Sequence, residues 1–115
     1  MTTQGQRRLK EVADFDDWGN PIEIIKKIVS SLPFKVRLVG KPRVNKGDTT
    51  AIFYTPVEVM TKLRTSLEKL DFDCQYTVLK QSGFHTLDAE KELNDTRVGV
   101  LYHSQWGTLT IVVIH

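Results

Sequence analysis

Catalysis or metal binding would draw first on His85, His103, His115, Cys74, Asp71, Asp73, Asp88 and Glu90. A transition-metal site would draw imidazole and thiolate ligands from closely spaced positions, as in Cys-x-x-Cys and His-x-x-x-His pairs. The three histidines are instead far apart in the chain; His103 leads into a turn and His115 is the final residue. Cys74 reads as a small hydrophobe facing the core from a strand it shares with Tyr76 and Val78. Paired carboxylates do general acid and base work when a bond is held between them. Asp71 and Asp73, however, follow a helix end, and Asp88 and Glu90 fall in a polar segment, where solvated acids are ordinary. No nucleophile stands beside a base, and no glycine-rich phosphate loop is present. The expectation is no catalytic residue, no metal, no cofactor and no enzymatic activity.

The segment that does carry a chemical signal is residues 35–46, which holds Lys35, Arg37, Lys41, Arg43 and Lys46 and no acid. On a strand, Lys35 and Arg37 point to one face while Val36 and Leu38 point to the other, and Lys41 and Arg43 repeat the alternation past Gly40. The result is a cationic edge ribbon. Its charge-assisted, salt-sensitive contacts suit the phosphates of anionic lipid or nucleic acid. The competing reading is an edge strand kept soluble by lysine and arginine. Trp106 falls in a hairpin turn, where a large ring is hard to bury, and is a candidate partner contact; alternatively it folds back across the sheet end. Phe15 and Trp18, set among Asp14, Asp16 and Asp17, would form a docking peptide for a basic groove or a hydrophobic staple for the helix that follows.

Positioning these residues calls for an α+β fold. Asn20-Pro21-Ile22-Glu23 is a helix start, with Asn as N-cap, Pro at the first helical position and Glu closing a capping box. Ile22, Ile25, Ile28, Val29 and Leu32 then share one face, and Pro33 ends the helix. Thr55-Pro56-Val57-Glu58 repeats the signal, and Val57, Met60, Leu63, Leu67 and Leu70 continue a second apolar stripe. Residues 20–32 and 55–67 share a proline, a glutamate, a lysine, a serine and a leucine at the same offset, which fits either an internal repeat or the convergence of two capped helices.

β-branched and aromatic residues cluster in residues 34–39, 50–54, 72–79, 97–103 and 108–114. The first two runs pair through a turn at Asn45-Lys46-Gly47-Asp48, with Gly40 and Pro42 marking a bulge or edge. The last two pair around Ser104-Gln105-Trp106-Gly107, placing Val98, Val100 and Tyr102 on one face with Leu109, Ile111 and Val113. Between the third and fourth runs lies a long polar loop with a candidate short helix at 87–94. The predicted architecture is therefore α-β-β-α-β-β-β, a mostly antiparallel sheet of about five strands with two helices on one face.

A length of 115 residues suits one core, so residues 20–115 are expected to form a single domain behind a flexible arm of residues 1–19. With 40% hydrophobic residues and ten aromatics spread along the chain, wholesale disorder is excluded. No apolar run approaches the roughly 20 residues a bilayer-spanning helix needs. The N-terminus lacks the apolar core of a secretory signal and there is one cysteine, so a cytoplasmic setting, or a nuclear one, is expected. Net charge is +2, but residues 1–50 hold ten cations against six acids and residues 51–115 six against eight, an asymmetry that can orient the domain on a polyanion.

Over roughly residues 49–114, the succession strand, Thr-Pro, helix, Leu-Glu-x-Leu-Asp-Phe-Asp and three strands resembles the kinase-associated-1 (KA1) domain. Thr55, Pro56, Val59, Met60, Leu63, Leu67, Leu70 and Phe72 carry the resemblance. It implies a non-catalytic regulatory module that binds anionic phospholipid, an attached kinase domain or a regulatory subunit, and it specifies no ligand residues here. The leading expectation is an interaction domain that binds a protein partner, with anionic phospholipid as a second ligand. The alternatives are a small nucleic-acid-binding protein using residues 35–46 and a structural subunit of a larger assembly.

Overall fold

The computed structural model describes residues 19–93 and 95–115; the arm expected at residues 1–19, with Phe15 and Trp18, lies outside them apart from Gly19. The described residues form α1 (Pro21–Ser31), β1 (Arg37–Leu38), β2 (Arg43–Val44), β3 (Asp48–Tyr54), α2 (Met60–Lys69), β4 (Asp73–Val78), β5 (His85–Glu92), β6 (Arg97–His103) and β7 (Thr108–Ile114). The fold is α+β with a wholly antiparallel pairing pattern.

α1 starts where its capping residues dictate. The Glu23 amide donates to Asn20 Oδ1 at 3.0 Å and the Asn20 amide donates to Glu23 Oε1 at 3.1 Å, satisfying two of the amides that a helix start leaves without partners. Ile24, Ile25, Ile28 and Leu32 are buried, so the core-facing stripe is rotated slightly from the one built on Ile22 and Val29, which are only half-buried.

The second helix departs from expectation. Thr55 is not its cap: the Thr55 amide donates to the Gly107 carbonyl at 2.8 Å, extending the β3–β7 ladder by one residue, and its hydroxyl reaches the same carbonyl. The chain then leaves the sheet at Pro56 and turns through Glu58 in the left-handed region, φ +58°, so that Val59 is buried and the helix begins at Met60. Val57, placed on the apolar stripe by its spacing, is 87% exposed. Val59, Leu63, Leu67 and Leu70 form the buried stripe instead. The 35-residue correspondence between the helices therefore breaks at their first turns, since Pro21 is inside α1 and Pro56 is outside α2.

Among the described residues the sheet has seven strands rather than five, ordered β1-β3-β7-β6-β5-β4, with β2 also paired to β3. Residues 34–39 and their continuation split into β1 and β2, two short pieces on the same edge of β3, separated at Gly40, whose φ of +69° is the left-handed value that glycine adopts at no steric cost. The turn between β2 and β3 closes as expected, with the Asn45 amide donating to the Asp48 carbonyl at 2.8 Å. The larger correction is β5: the segment read as a polar loop with a short helix is a full strand between β4 and β6. Leu87 and Ala89 are fully buried while Asp88, Glu90 and Glu92 are exposed, a period of two that only a strand produces.

Both helices pack on the same face, α1 over β3 and β7 and α2 over β4 and β5. The core between them holds Ala51, Phe53, Leu87, Ala89, Val98, Val100, Tyr102, Leu109, Ile111 and Val113 from the sheet. The expected facing of Val98, Val100 and Tyr102 with Val113, Ile111 and Leu109 is the observed register. No helix among the described residues is long and apolar enough to cross a membrane.

Candidate docking surface

Strand register places every second residue of the sheet on the face away from the helices. Reading across the strands, one row runs Tyr54, Thr108, His103, Thr86 and Thr77; the next runs Ile52, Thr110, Leu101, Asp88 and Gln75; the third runs Thr50, Val112, Gly99, Glu90 and Asp73. Arg37 extends the first row, opposite Tyr54, and Arg43 extends the third, opposite Thr50. No element among the described residues covers this face. Tyr54, Ile52, Leu101 and Ile114 are exposed on it, each by between 40% and 50%.

The face is graded in charge. At the β1–β2 edge Lys35, Arg37, Lys41, Arg43 and Lys46 are all exposed, and none of them forms an ion pair among the described residues. Arg37 lies over the Tyr54 ring, 5.0 Å from its centroid, a cation–π contact that holds the guanidinium against the sheet. Arg37 and Arg43 project from the open face, whereas Lys41 and Lys46 sit in the turns that flank β2 and continue the ribbon around the edge. At the opposite side Asp88 and Glu90 on β5 stand beside Gln75 and Asp73 on β4, Asp73 directly opposite Glu90. The acids considered for paired-carboxylate chemistry are thus brought together, apart from Asp71, but on an open, exposed sheet surface. Glu92 is paired with Arg97 at 3.0 Å.

Trp106 is 62% exposed at the tip of the β6–β7 hairpin, its ring tilted 45° to His103 with centroids 6.0 Å apart, at the end of the open face. His85 is elsewhere, on the helix side of the sheet, where its Nδ1 hydrogen-bonds the Tyr76 hydroxyl and the two rings stack at 5.4 Å. They help to line a concavity of about 660 Å³ beyond the start of α2, with Val57, Met60, Arg64 and Phe84. His115 lies 3.4 Å from the Thr49 hydroxyl, so the three histidines do not share a site. No group of three or more His, Cys, Asp or Glu residues among the described residues is arranged to hold a metal ion. Cys74 is half-buried, and Tyr76 and Val78, expected to accompany it into the core, are exposed because α2 does not extend over their end of β4. Burial pushes the Cys74 thiol up from its ordinary value, and Glu68 adds to the shift while Arg64 opposes it.

A second, smaller groove of about 310 Å³ runs beside the ribbon on the helix side, between α1 and β1, lined by Ile22, Val29, Leu38 and Pro42 with Lys26 at its margin.

Ile52, Tyr54, Leu101 and Glu92 escaped the sequence reading. The signal for Glu92 was the alternation in residues 85–92, masked by acidic residues and alanine, which are poor strand formers; Ile52, Tyr54 and Leu101 lie in runs already read as strands, on the alternate positions that face away from the core. No protein-family model matches the chain, and no curated protein and no solved structure matches it either.

Proposed function

We propose that this chain is a non-catalytic interaction domain that docks a protein partner on the open face of its sheet, with the β1–β2 ribbon receiving the partner's acidic groups. The observation that carries the reading is the ribbon itself. Five exposed cations, without ion pairs among the described residues, border a strip of exposed Tyr54, Ile52 and Leu101. An edge held soluble by charge does not require its cations to share a face, whereas the two arginines here are both turned toward the open face. Arginine is the cation best suited to planar, bidentate recognition of carboxylates. A regulatory module is also what the resemblance to kinase-associated-1 domains implies.

A second reading, anionic phospholipid, is favoured by the groove between α1 and β1, where Ile22, Val29, Leu38 and Pro42 offer an apolar channel with Lys26 at its margin. The acids of β5 argue against the whole face lying flat on a polyanion, so a nucleic acid or an anionic membrane would meet the ribbon edge-on.

Titration of labelled polyglutamate, anionic vesicles, and single- and double-stranded nucleic acid at two salt concentrations separates these ligands. Binding is expected to weaken with salt and to be lost when Lys35, Arg37, Lys41 and Arg43 are all replaced by Glu, with far-UV circular dichroism unchanged. Binding that persists in this variant would eliminate the ribbon as the site.

A further inference from the structure

We propose that the partner of the open face is a second copy of this chain, stacked face to face about a two-fold axis that runs along β7. This rests on the docking reading above and names its partner.

The argument is the order of charge across the strands. β7 is flanked by β3 and then by the β1–β2 edge on one side, and by β6 and then β5 on the other. A half-turn about a line along β7, in the plane between two stacked sheets, exchanges the β1–β2 column with β5 and exchanges β3 with β6. Arg37 and Arg43 of each copy then face the Asp88, Glu90 and Glu92 column of the other, and Ile52 faces Leu101 in the same row. β7 faces itself with Thr110 and Val112. A half-turn about an axis across the strands would instead set arginine on arginine and acid on acid. The face is therefore self-complementary in one orientation, as an isologous interface must be.

Other occupants fit less of it. A polyanion is attracted by the ribbon and repelled by β5, and a polycation meets the reverse; matching the whole face takes both signs in mirrored order. Relief also favours close stacking, since Gly99 leaves a dimple beside Val112 at the centre of the face, where an added Cβ would meet nothing within 4 Å. Aligned sheet packing sets the two faces about 10 Å apart with strands about 30° from parallel, so each arginine reaches the acidic column rather than one fixed residue in it. Seven-residue strands and about five columns give a contact of roughly 500 Å² per copy before side-chain relief. That lies near the lower limit for specific association, so a reversible dimer is expected rather than an obligate one.

The test is sedimentation velocity of the full chain from low to high micromolar concentration, with two charge-reversed variants: Arg37→Glu with Arg43→Glu, and Asp88→Lys with Glu90→Lys. The wild type is expected to dimerise reversibly. Each variant alone should dimerise about tenfold or more weakly, because both symmetric contacts become like-charged. Mixed in equal amounts, the two variants should associate again, since every reversed ribbon then meets a reversed acidic column. These are exposed positions, and circular dichroism of each variant confirms its fold. A dimer insensitive to both reversals, or a mixture that stays monomeric although the wild type dimerises, would overturn the stacking. A wild type that remains monomeric while the arginine variant alone loses polyglutamate binding would overturn self-association and leave the docking reading in place.

Discussion

Among the described residues, two that are not glycine adopt left-handed backbone, and they do different things for α2. Glu58, φ +58°, delays the helix until Val59 can be buried, and Asp71, φ +67°, ends it. At that end the Phe72 amide donates to the Leu67 carbonyl and the Asp71 amide donates to the Glu68 carbonyl, the paired bonds of a Schellman motif, with Phe72 and Leu67 both buried beneath it. Glycine is the residue that adopts this conformation without a Cβ penalty. Asp71→Gly is therefore expected to stabilise the domain by about 0.5–1 kcal/mol, read as a higher midpoint in urea or thermal unfolding. A lower midpoint would mean that the Asp71 side chain makes a contact that outweighs its backbone strain. The Asn20 box was legible in the sequence because every one of its groups is local. The cap at Thr55 was misread because the same residue had a competing partner in Gly107, far along the chain, and the ladder bond won.

At the scale of elements, β5 is what turns a scatter of acids into one side of a charged face. Its buried side is Leu87 and Ala89, and Leu87 is fully enclosed against Tyr102 and the underside of α2. If this segment were a surface loop, truncating Leu87 would cost little. As a central strand it should cost about 2–5 kcal/mol for Leu87→Ala, with a matching fall in the denaturation midpoint. An effect within about 0.5 kcal/mol would contradict the strand. Strands β3, β6 and β7 were readable because β-branched and aromatic residues alternate there. The ribbon was legible for a similar reason, as a run of cations free of acids. What the sequence did not disclose was how the two hairpins join: β3 pairs with β7, and β5 lies between β4 and β6, and this topology puts the ribbon and the acids on opposite sides of the same open face.

On the scale of the whole molecule, two helices have been placed on one side of a sheet that is wider than either. A helix about 10 Å across covers about two strands spaced about 4.8 Å apart. α1 and α2 accordingly cover one face, and the opposite face carries exposed Tyr54, Ile52, Leu101 and Ile114. That asymmetry is the basis of the functional reading, and the concavity lined by Val57, Phe84 and Tyr76 on the helix side is its natural internal control. The most direct measurement is methyl NMR of the full chain across a dilution series and with added polyglutamate. Concentration should shift the methyls of Ile52, Leu101, Val112 and Ile114, and polyglutamate those nearest the ribbon, Leu38 and Val44 with Ile52, while Val57 stays fixed in both series. Shifts confined to Val57 and Met60, with the open face unchanged, would contradict the claim that this face is where the molecule meets its partner.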